Sequence, residues 1–149
     1  MSAKTQKELN HSSRLGALGE SYVQTVLLEW CDFVTSCGHT TPYDLILDHN
    51  NRLYKVQVKT VSQAKTSAGL RYRFNANGLQ RSKQYYTSRN DIYALVFYPE
   101  KVCLFKPNIG NQRHYTFEDV PTKGEEFDSL QETLEQLNNA PILKPIDEG

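Results

Sequence analysis

The chain has 149 residues, with 17 Lys/Arg, 17 Asp/Glu and 38% hydrophobic residues, which predicts a single domain over residues 1–149 that buries a core without disulfide bonds. No apolar run approaches the ~20 residues of a membrane span, and the polar start lacks the apolar core of a signal peptide. Three cysteines stand at irregular spacing, and Cys31, Cys37 and His39 match no usual zinc pattern. We therefore expect an intracellular, cytoplasmic protein with reduced thiols and no membrane contact.

The net charge of zero hides a strong segregation of charge along the chain. Residues 52–113 carry twelve Lys/Arg and two Asp/Glu, a net charge of +10, whereas residues 1–51 and 114–149 have net charges of −3 and −7. A basic middle region between acidic ends favours an anionic partner held at one part of the molecule. The alternative is a solvated basic face without a partner.

The first predicted element is a helix from Ser12 to Trp30, in which apolar residues recur at helical spacing behind a serine cap. Gly16 and Gly19 are poor helix formers and are useful there only where another element approaches the helix backbone closely. A short strand, Cys31–Thr35, follows the helix.

The next two strands, Asp44–Asp48 and Leu53–Val61, are predicted to form a hairpin around the turn His49-Asn50-Asn51. On the second strand, alternation gives two faces. One face carries Val56 and Val58, and the other carries Lys55, Gln57 and Lys59.

The second half of the chain predicts a loop at 62–69, a strand Leu70–Phe74, a short helix within 80–90 and two apolar strands, Ile92–Tyr98 and Val102–Phe105. A final amphipathic helix carries a narrow apolar stripe: Phe127, Leu130, Leu134 and Leu137. We expect this stripe to pack on its own domain, with a contact between subunits as the alternative. The order of elements predicts an α/β or α+β domain with a mixed central β-sheet flanked by helices.

The candidate chemistry lies at one end of the predicted hairpin. The start of its first strand sits beside the end of its second, so Asp44 is expected to converge with Gln57 and Lys59. A carboxylate, the Gln57 amide oxygen and the Val58 backbone carbonyl are oxygen ligands for a hard cation such as Mg²⁺. Such a cation activates water and neutralises phosphate charge, and a lysine stabilises the transition state. The alternative is a plain polar strand face.

In this chain a proline, one further residue and then Asp44 precede a hairpin that ends in Gln57-Val58-Lys59. This pattern resembles that of the PD-(D/E)XK nucleases. The resemblance implies a restriction-endonuclease-like core and a metal-dependent DNA endonuclease with Asp44, Gln57 and Lys59 as catalytic residues. Many members have Asp or Glu where this chain has Gln57, which implies fewer or weaker metal sites.

The first helix of Holliday-junction resolvases and related members often brings a glutamate near the site. The segment Gly16-Ala17-Leu18-Gly19-Glu20 resembles that element, which implies that Glu20 is catalytic and binds metal beside Asp44 and Val58; the alternative is a Glu20 that points to solvent. Over its whole length, the chain is similar to the small homing endonucleases encoded in cyanobacterial group I introns. That similarity implies a homotetramer that cuts double-stranded DNA site-specifically near a host tRNA gene.

Double-stranded DNA is expected to lie against the basic middle region. Arginine and asparagine read guanine and adenine in the major groove, and basic side chains hold phosphates. The predicted base-reading residues are Arg71, Arg73 and Asn75. The predicted phosphate-binding residues are Lys65, Arg81, Lys83 and Arg89.

Three alternatives to the homing-endonuclease reading stay open. The first is a structure-selective junction resolvase. The second is a non-catalytic DNA-binding module whose metal site has decayed at Gln57. The third is an RNA-processing nuclease on the same scaffold.

Overall fold

The fold is seen in a computed structural model of the chain, which describes residues 6–38, 43–62, 72–75, 90–98, 100–109 and 114–137. Its elements are, in chain order, α1 (Gln6–Trp30), β1 (Phe33–Ser36), β2 (Leu45–His49), β3 (Arg52–Val61), β4 (Tyr72–Asn75), β5 (Ile92–Phe97), β6 (Val102–Pro107), β7 (His114–Phe117) and α2 (Lys123–Gln136). In the described ranges, no helix is long and apolar enough to cross a membrane.

The central sheet has five strands in the order β1-β2-β3-β5-β6. The pairing of β3 with β5 is parallel, and the other pairings are antiparallel. A second sheet, the ribbon, pairs β4 with β7 in antiparallel register. The predicted mixed sheet in an α/β domain is therefore confirmed.

The predicted hairpin of β2 and β3 is also confirmed. His49 pairs with Arg52, so the connection has two residues, Asn50 and Asn51. Both have positive φ, 51° and 62°, as a type I′ turn requires, and asparagine tolerates that backbone conformation well. The local turn fixes the register in which Leu45 faces Val56.

Both helices pack on one face of the central sheet, and the ribbon covers part of the other. Val23 and Leu27 of α1 and Leu130 and Leu134 of α2 join one buried cluster with Val56. The second cluster is largely aromatic and holds Phe74 and Tyr115 of the ribbon against the sheet residues Tyr93, Leu95 and Phe97. The predicted stripe of the final helix thus packs on its own chain, at Leu130 and Leu134.

Side chains of α2 accept hydrogen bonds from backbone amides of the edge strand β6. The amide of Cys103 donates to Glu126 Oε2 at 2.8 Å, and the amide of Phe105 donates to Ser129 Oγ at 2.9 Å. The hydroxyl of Tyr22 on α1 also donates to Glu126 Oε2, at 2.5 Å. Glu126 therefore ties both helices to the sheet, and it satisfies an edge amide that would otherwise be open to another strand.

Two sequence-based expectations for the first helix are wrong. The helix begins at Gln6, not at a cap formed by Ser12 or Ser13, because the Gln6-Lys7-Glu8-Leu9 segment consists of good helix formers that extend it without apolar periodicity. An alanine Cβ built at Gly16 would meet none of the described residues within 4 Å, so no described element approaches the helix there.

The strand β7 was missed, although its residues alternate between polar and aromatic. The predicted loop at 62–69 and the short helix within 80–90 lie outside the described residues apart from residues 62 and 90.

Cys31, Cys37 and Cys103 are free cysteines in the structure. Cys31 and Cys103 are buried. Burial raises the pKa of the Cys31 thiol to about 12 and that of Cys103 well above its ordinary value. Both thiols stay protonated and serve as apolar core residues.

Candidate active site

Asp44 is fixed at the point where the pairing of β2 with β3 ends. Its amide donates to the Val56 carbonyl at 2.9 Å, and its Oδ2 accepts a 2.7 Å hydrogen bond from the amide of Val58. Its carbonyl accepts from the amide of Cys37 at 3.0 Å. The carboxylate is therefore held against the strand that carries Gln57 and Lys59, on the side that β2 no longer covers.

Beyond Val56, β3 continues with β5 as its paired neighbour. The N–H and C=O groups of one strand residue point to the same side of the strand. Since the Val58 amide faces Asp44, the Val58 carbonyl faces the same open side. This places a backbone oxygen beside the Asp44 carboxylate, as a shared metal site requires.

Glu20 reaches this opening from α1. Its carboxyl group lies near that of Asp44, and its pKa is raised from 4.5 to about 7 by partial burial, by the negative charge of Asp44 and by a side-chain hydrogen bond with Asp44. A partly desolvated carboxyl group beside a negative charge keeps its proton to higher pH, because two negative charges so close repel each other. A divalent cation would replace that proton.

Gln57 and Lys59 lie on the face of β3 opposite the helices, as the alternation predicted. The Asp44 amide bonds to the carbonyl of Val56, which already pairs with Leu45, so Asp44 stands outside the regular register where the pairing ends. Burial lowers the pKa of Lys59, while the negative charge of Asp44 opposes that shift. The ammonium group of Lys59 is thus close enough to the Asp44 carboxylate for the two charges to interact.

Gln57 is buried, and its Oε1 has no hydrogen-bond partner among the described residues. A buried carbonyl oxygen without a donor costs about 1–3 kcal/mol, and a cation would satisfy it. In the same residues, no three His, Cys, Asp or Glu side chains gather into a metal cluster. The donors that fit a hard cation here are two carboxylates, one amide oxygen and one backbone carbonyl, all oxygen.

Only part of the predicted DNA-binding set lies within the described residues. Arg73 and Asn75 are exposed on β4, with Thr116 and His114 opposite them on β7. Tyr72 and Phe74 point inward, where their rings lie 5.2 and 5.1 Å from the ring of Phe97. The ribbon therefore presents a polar outer face. The remaining members lie outside the described residues: Lys65, Arg71, Arg81, Lys83 and Arg89.

Asp91, which aligns two strands beside the site, was not found by sequence reasoning. Asp91 accepts a 2.8 Å hydrogen bond from the amide of Lys55 and donates its own amide to the Lys55 carbonyl, which aligns the start of β5 with β3. The ammonium group of Lys55 lies 5.4 Å from the centre of the Tyr43 ring. An aspartate directly before an apolar strand was the available signal for Asp91.

Comparison with known proteins assigns the family. A model of the PD-(D/E)XK endonuclease family matches residues 11–109, which include the four residues that carry the predicted site chemistry, Glu20, Asp44, Gln57 and Lys59. The chain therefore belongs to the PD-(D/E)XK endonuclease family. No match was found among curated proteins.

Two solved structures are similar to this one. The bacterial homing endonuclease I-Ssp6803I is 18% identical, with a TM-score of 0.57, over 83% of this chain and 94% of that one. The Holliday junction resolvase Hjc of the archaeal hyperthermophile Archaeoglobus fulgidus is 11% identical, with a TM-score of 0.47, over 80% and 95% of the two chains. The similarity to I-Ssp6803I shows a shared restriction-endonuclease-like fold.

Proposed function

We propose that this protein is a site-specific endonuclease that hydrolyses phosphodiester bonds of double-stranded DNA with a divalent cation, Mg²⁺. The observation that carries the proposal is the approach of the Glu20 carboxyl group to Asp44, which the amide of Val58 holds against the strand of Lys59 at the open end of the hairpin. Membership of an endonuclease family supports the same chemistry.

In this proposal the cation is held by Asp44, Glu20, the Val58 carbonyl and the Gln57 amide oxygen. When bound, it supplies neutralisation of phosphate charge and acidification of the attacking water. The amide of Val58 keeps Asp44 oriented for this role. Glu20, whose pKa is raised to about 7, would give up its proton when the cation binds. The Nζ of Lys59 donates to the attacking water or to the charged phosphate oxygen of the transition state.

Sequence specificity is assigned to the ribbon. Arg73 and Asn75 are proposed to read base edges in the major groove, which is wide enough for a two-stranded ribbon. Arg71 is proposed to read bases with them, and Lys65, Arg81, Lys83 and Arg89 to hold phosphates. The homing activity of I-Ssp6803I supports a site-specific cutter. A subunit of this size requires several copies for a long target, which a homotetramer would supply.

The deciding experiment measures cleavage in Mg²⁺ by the unaltered protein and by Lys59→Ala. Lys106→Ala is the control, because Lys106 is a half-buried lysine on the same sheet but lies on β6, two strands away. The substrates are linear DNA fragments that carry tRNA genes, unrelated linear DNA, a four-way junction and RNA of matching sequence.

One defined cut in linear DNA, lost in Lys59→Ala and kept in Lys106→Ala, is the expected result. Preferential cutting of the junction would instead indicate a resolvase, and cutting of the RNA alone an RNA-processing nuclease. Binding of DNA without cleavage of any substrate would indicate a binding module, which the presence of Gln57 in place of a carboxylate favours as the second candidate.

A further inference from the structure

The feature that brings Glu20 to Asp44 is a contact between α1 and β3 at the neighbouring residue, Gly19. A Cβ atom at Gly19 would lie 1.9 Å from Thr60 Oγ1, 3.0 Å from Thr60 Cβ and 3.1 Å from Thr60 Cγ2. The absence of a side chain at Gly19 therefore lets the helix backbone rest directly on Thr60. Thr60 follows Lys59, so this contact lies one residue from the candidate site on both elements.

Rotation of the Thr60 side chain does not fully relieve this steric clash. Rotation about χ1 of Thr60 would move its Oγ1, but the Thr60 Cβ stays at 3.0 Å from a Cβ on residue 19. Atoms of a packed interior do not give way by this much without a shift of the backbone. A side chain at position 19 must therefore push α1 away from β3, together with the residue that follows it.

We propose that Gly19 is a positioning residue, whose contact with Thr60 sets the height of α1 above β3 and so brings the Glu20 carboxyl group to Asp44. This inference rests on the proposed function, since it assigns Glu20 a place in the cation site. Tyr22 is the second anchor of this part of α1, because its hydroxyl donates to Glu126. The two contacts, at Gly19 and at Tyr22, thus hold α1 on both sides of Glu20.

The same helix offers a matched control. Gly16 lies one turn before Gly19, and an alanine Cβ there would have no neighbour within 4 Å in the described part of the chain. Both substitutions, Gly16→Ala and Gly19→Ala, add one methyl group and raise helix propensity by about 1 kcal/mol. They differ in the contact with Thr60, so a difference between the two variants reports on that contact.

The experiment compares Gly16→Ala, Gly19→Ala, Thr60→Ala and the double variant Gly19→Ala/Thr60→Ala. The measurements are kcat and KM for DNA cleavage per folded molecule, thermal unfolding, and affinity for Mn²⁺ without DNA by calorimetry. We expect Gly19→Ala to lower kcat by about tenfold or more, as displacements near 1 Å do in active sites, with KM for DNA nearly unchanged and Mn²⁺ bound more weakly.

Gly16→Ala should keep the kcat and the Mn²⁺ affinity of the unaltered protein. The double variant should recover part of both, because Thr60→Ala removes Oγ1 and Cγ2 and leaves only the 3.0 Å contact with the Cβ of residue 60. Equal Mn²⁺ affinity and kcat in the two glycine variants would overturn the inference alone. So would a loss in Gly19→Ala that the double variant does not reduce. Absence of both cleavage and Mn²⁺ binding in the unaltered protein would overturn the proposed function and this inference with it.

Discussion

The amide of Val58 is hydrogen-bonded to Oδ2 of Asp44 at 2.7 Å, so the residue that precedes β2 is fixed to the strand that carries Gln57 and Lys59. An asparagine at position 44 can still accept this hydrogen bond through its amide oxygen, but it carries no charge. Asp44→Asn can therefore test the role of the charge in the proposed metal site while keeping the hydrogen bond that supports the fold.

We expect Asp44→Asn to lower the cleavage rate in Mg²⁺ by about 100-fold or more, with a change of about 1 kcal/mol or less in the free energy of unfolding. Plasmid cleavage and urea unfolding measure the two effects. Asp48→Asn is the control, because Asp48 lies at the other end of β2, beside the hairpin turn. This variant should leave the rate unchanged. A rate in Asp44→Asn equal to that of the unaltered protein would rule out Asp44 as an essential ligand.

The raised pKa of Glu20 predicts how the metal-free protein responds to pH. The pKa is about 7 in the folded chain and 4.5 in a solvated glutamate, so between these values the folded state binds a proton that the unfolded state has released. The free energy of unfolding must then fall as pH rises from about 4.5 to 7, and this contribution is lost above 7. Glu20→Gln should flatten this part of the stability curve, measured by urea unfolding in EDTA.

Cation binding should follow the opposite trend, because a cation held by Glu20 would displace the proton of that carboxyl group. Mn²⁺ affinity is expected to rise with pH up to about 7 and to level off above it, with proton release detected below that pH by calorimetry in buffers of different ionisation enthalpy. Glu29→Gln, on an exposed part of the same helix, is the control. Proton release that persists unchanged in Glu20→Gln would exclude Glu20 as its source.

Gln57→Glu restores the carboxylate that many PD-(D/E)XK members carry at this position. Position 57 is buried on the strand to which Asp44 is hydrogen-bonded, so an added negative charge there should destabilise the metal-free protein by about 1–3 kcal/mol. The same charge should strengthen cation binding. The predicted signature is a melting temperature that is lower than that of the unaltered protein in EDTA and that rises more steeply with Mg²⁺.

The matched control for that variant is Gln57→Leu, which removes the amide oxygen and adds no charge. It should melt at or above the temperature of the unaltered protein in EDTA, because the unsatisfied Oε1 is gone, and should gain less from Mg²⁺. If all three proteins respond equally to Mg²⁺, position 57 does not contact the cation.

Local patterns predicted the strands of the site well, and tertiary contacts account for what they missed. The asparagine pair fixed the hairpin, and alternation along β3 gave the correct faces for Val56 and Gln57, because turn type and pleat depend on near neighbours. The meeting of Glu20 with Asp44 follows instead from the crossing of α1 over β3 at Thr60, which no periodicity encodes. The resemblance to a family supplied Glu20, and packing explains how it reaches the site.

The outer face of the ribbon gives the last prediction. Arg73 is exposed, while its neighbours Tyr72 and Phe74 anchor the strand in the aromatic cluster, so Arg73→Ala should leave the fold intact. If Arg73 reads a guanine, its removal should relax the preference at one base pair, a loss of about 1–3 kcal/mol of discrimination there, and leave the other positions unchanged. Cleavage profiled over all single-base substitutions of the target measures this.

Thr116 lies directly opposite Arg73 on β7. Thr116→Ala therefore tests whether any substitution in the ribbon relaxes the base preference. A phosphate contact at Arg73 would instead weaken binding equally for all sequences and reduce the salt dependence of affinity by about one unit of slope. An unchanged preference at every position in Arg73→Ala would show that base recognition lies elsewhere in the basic middle region.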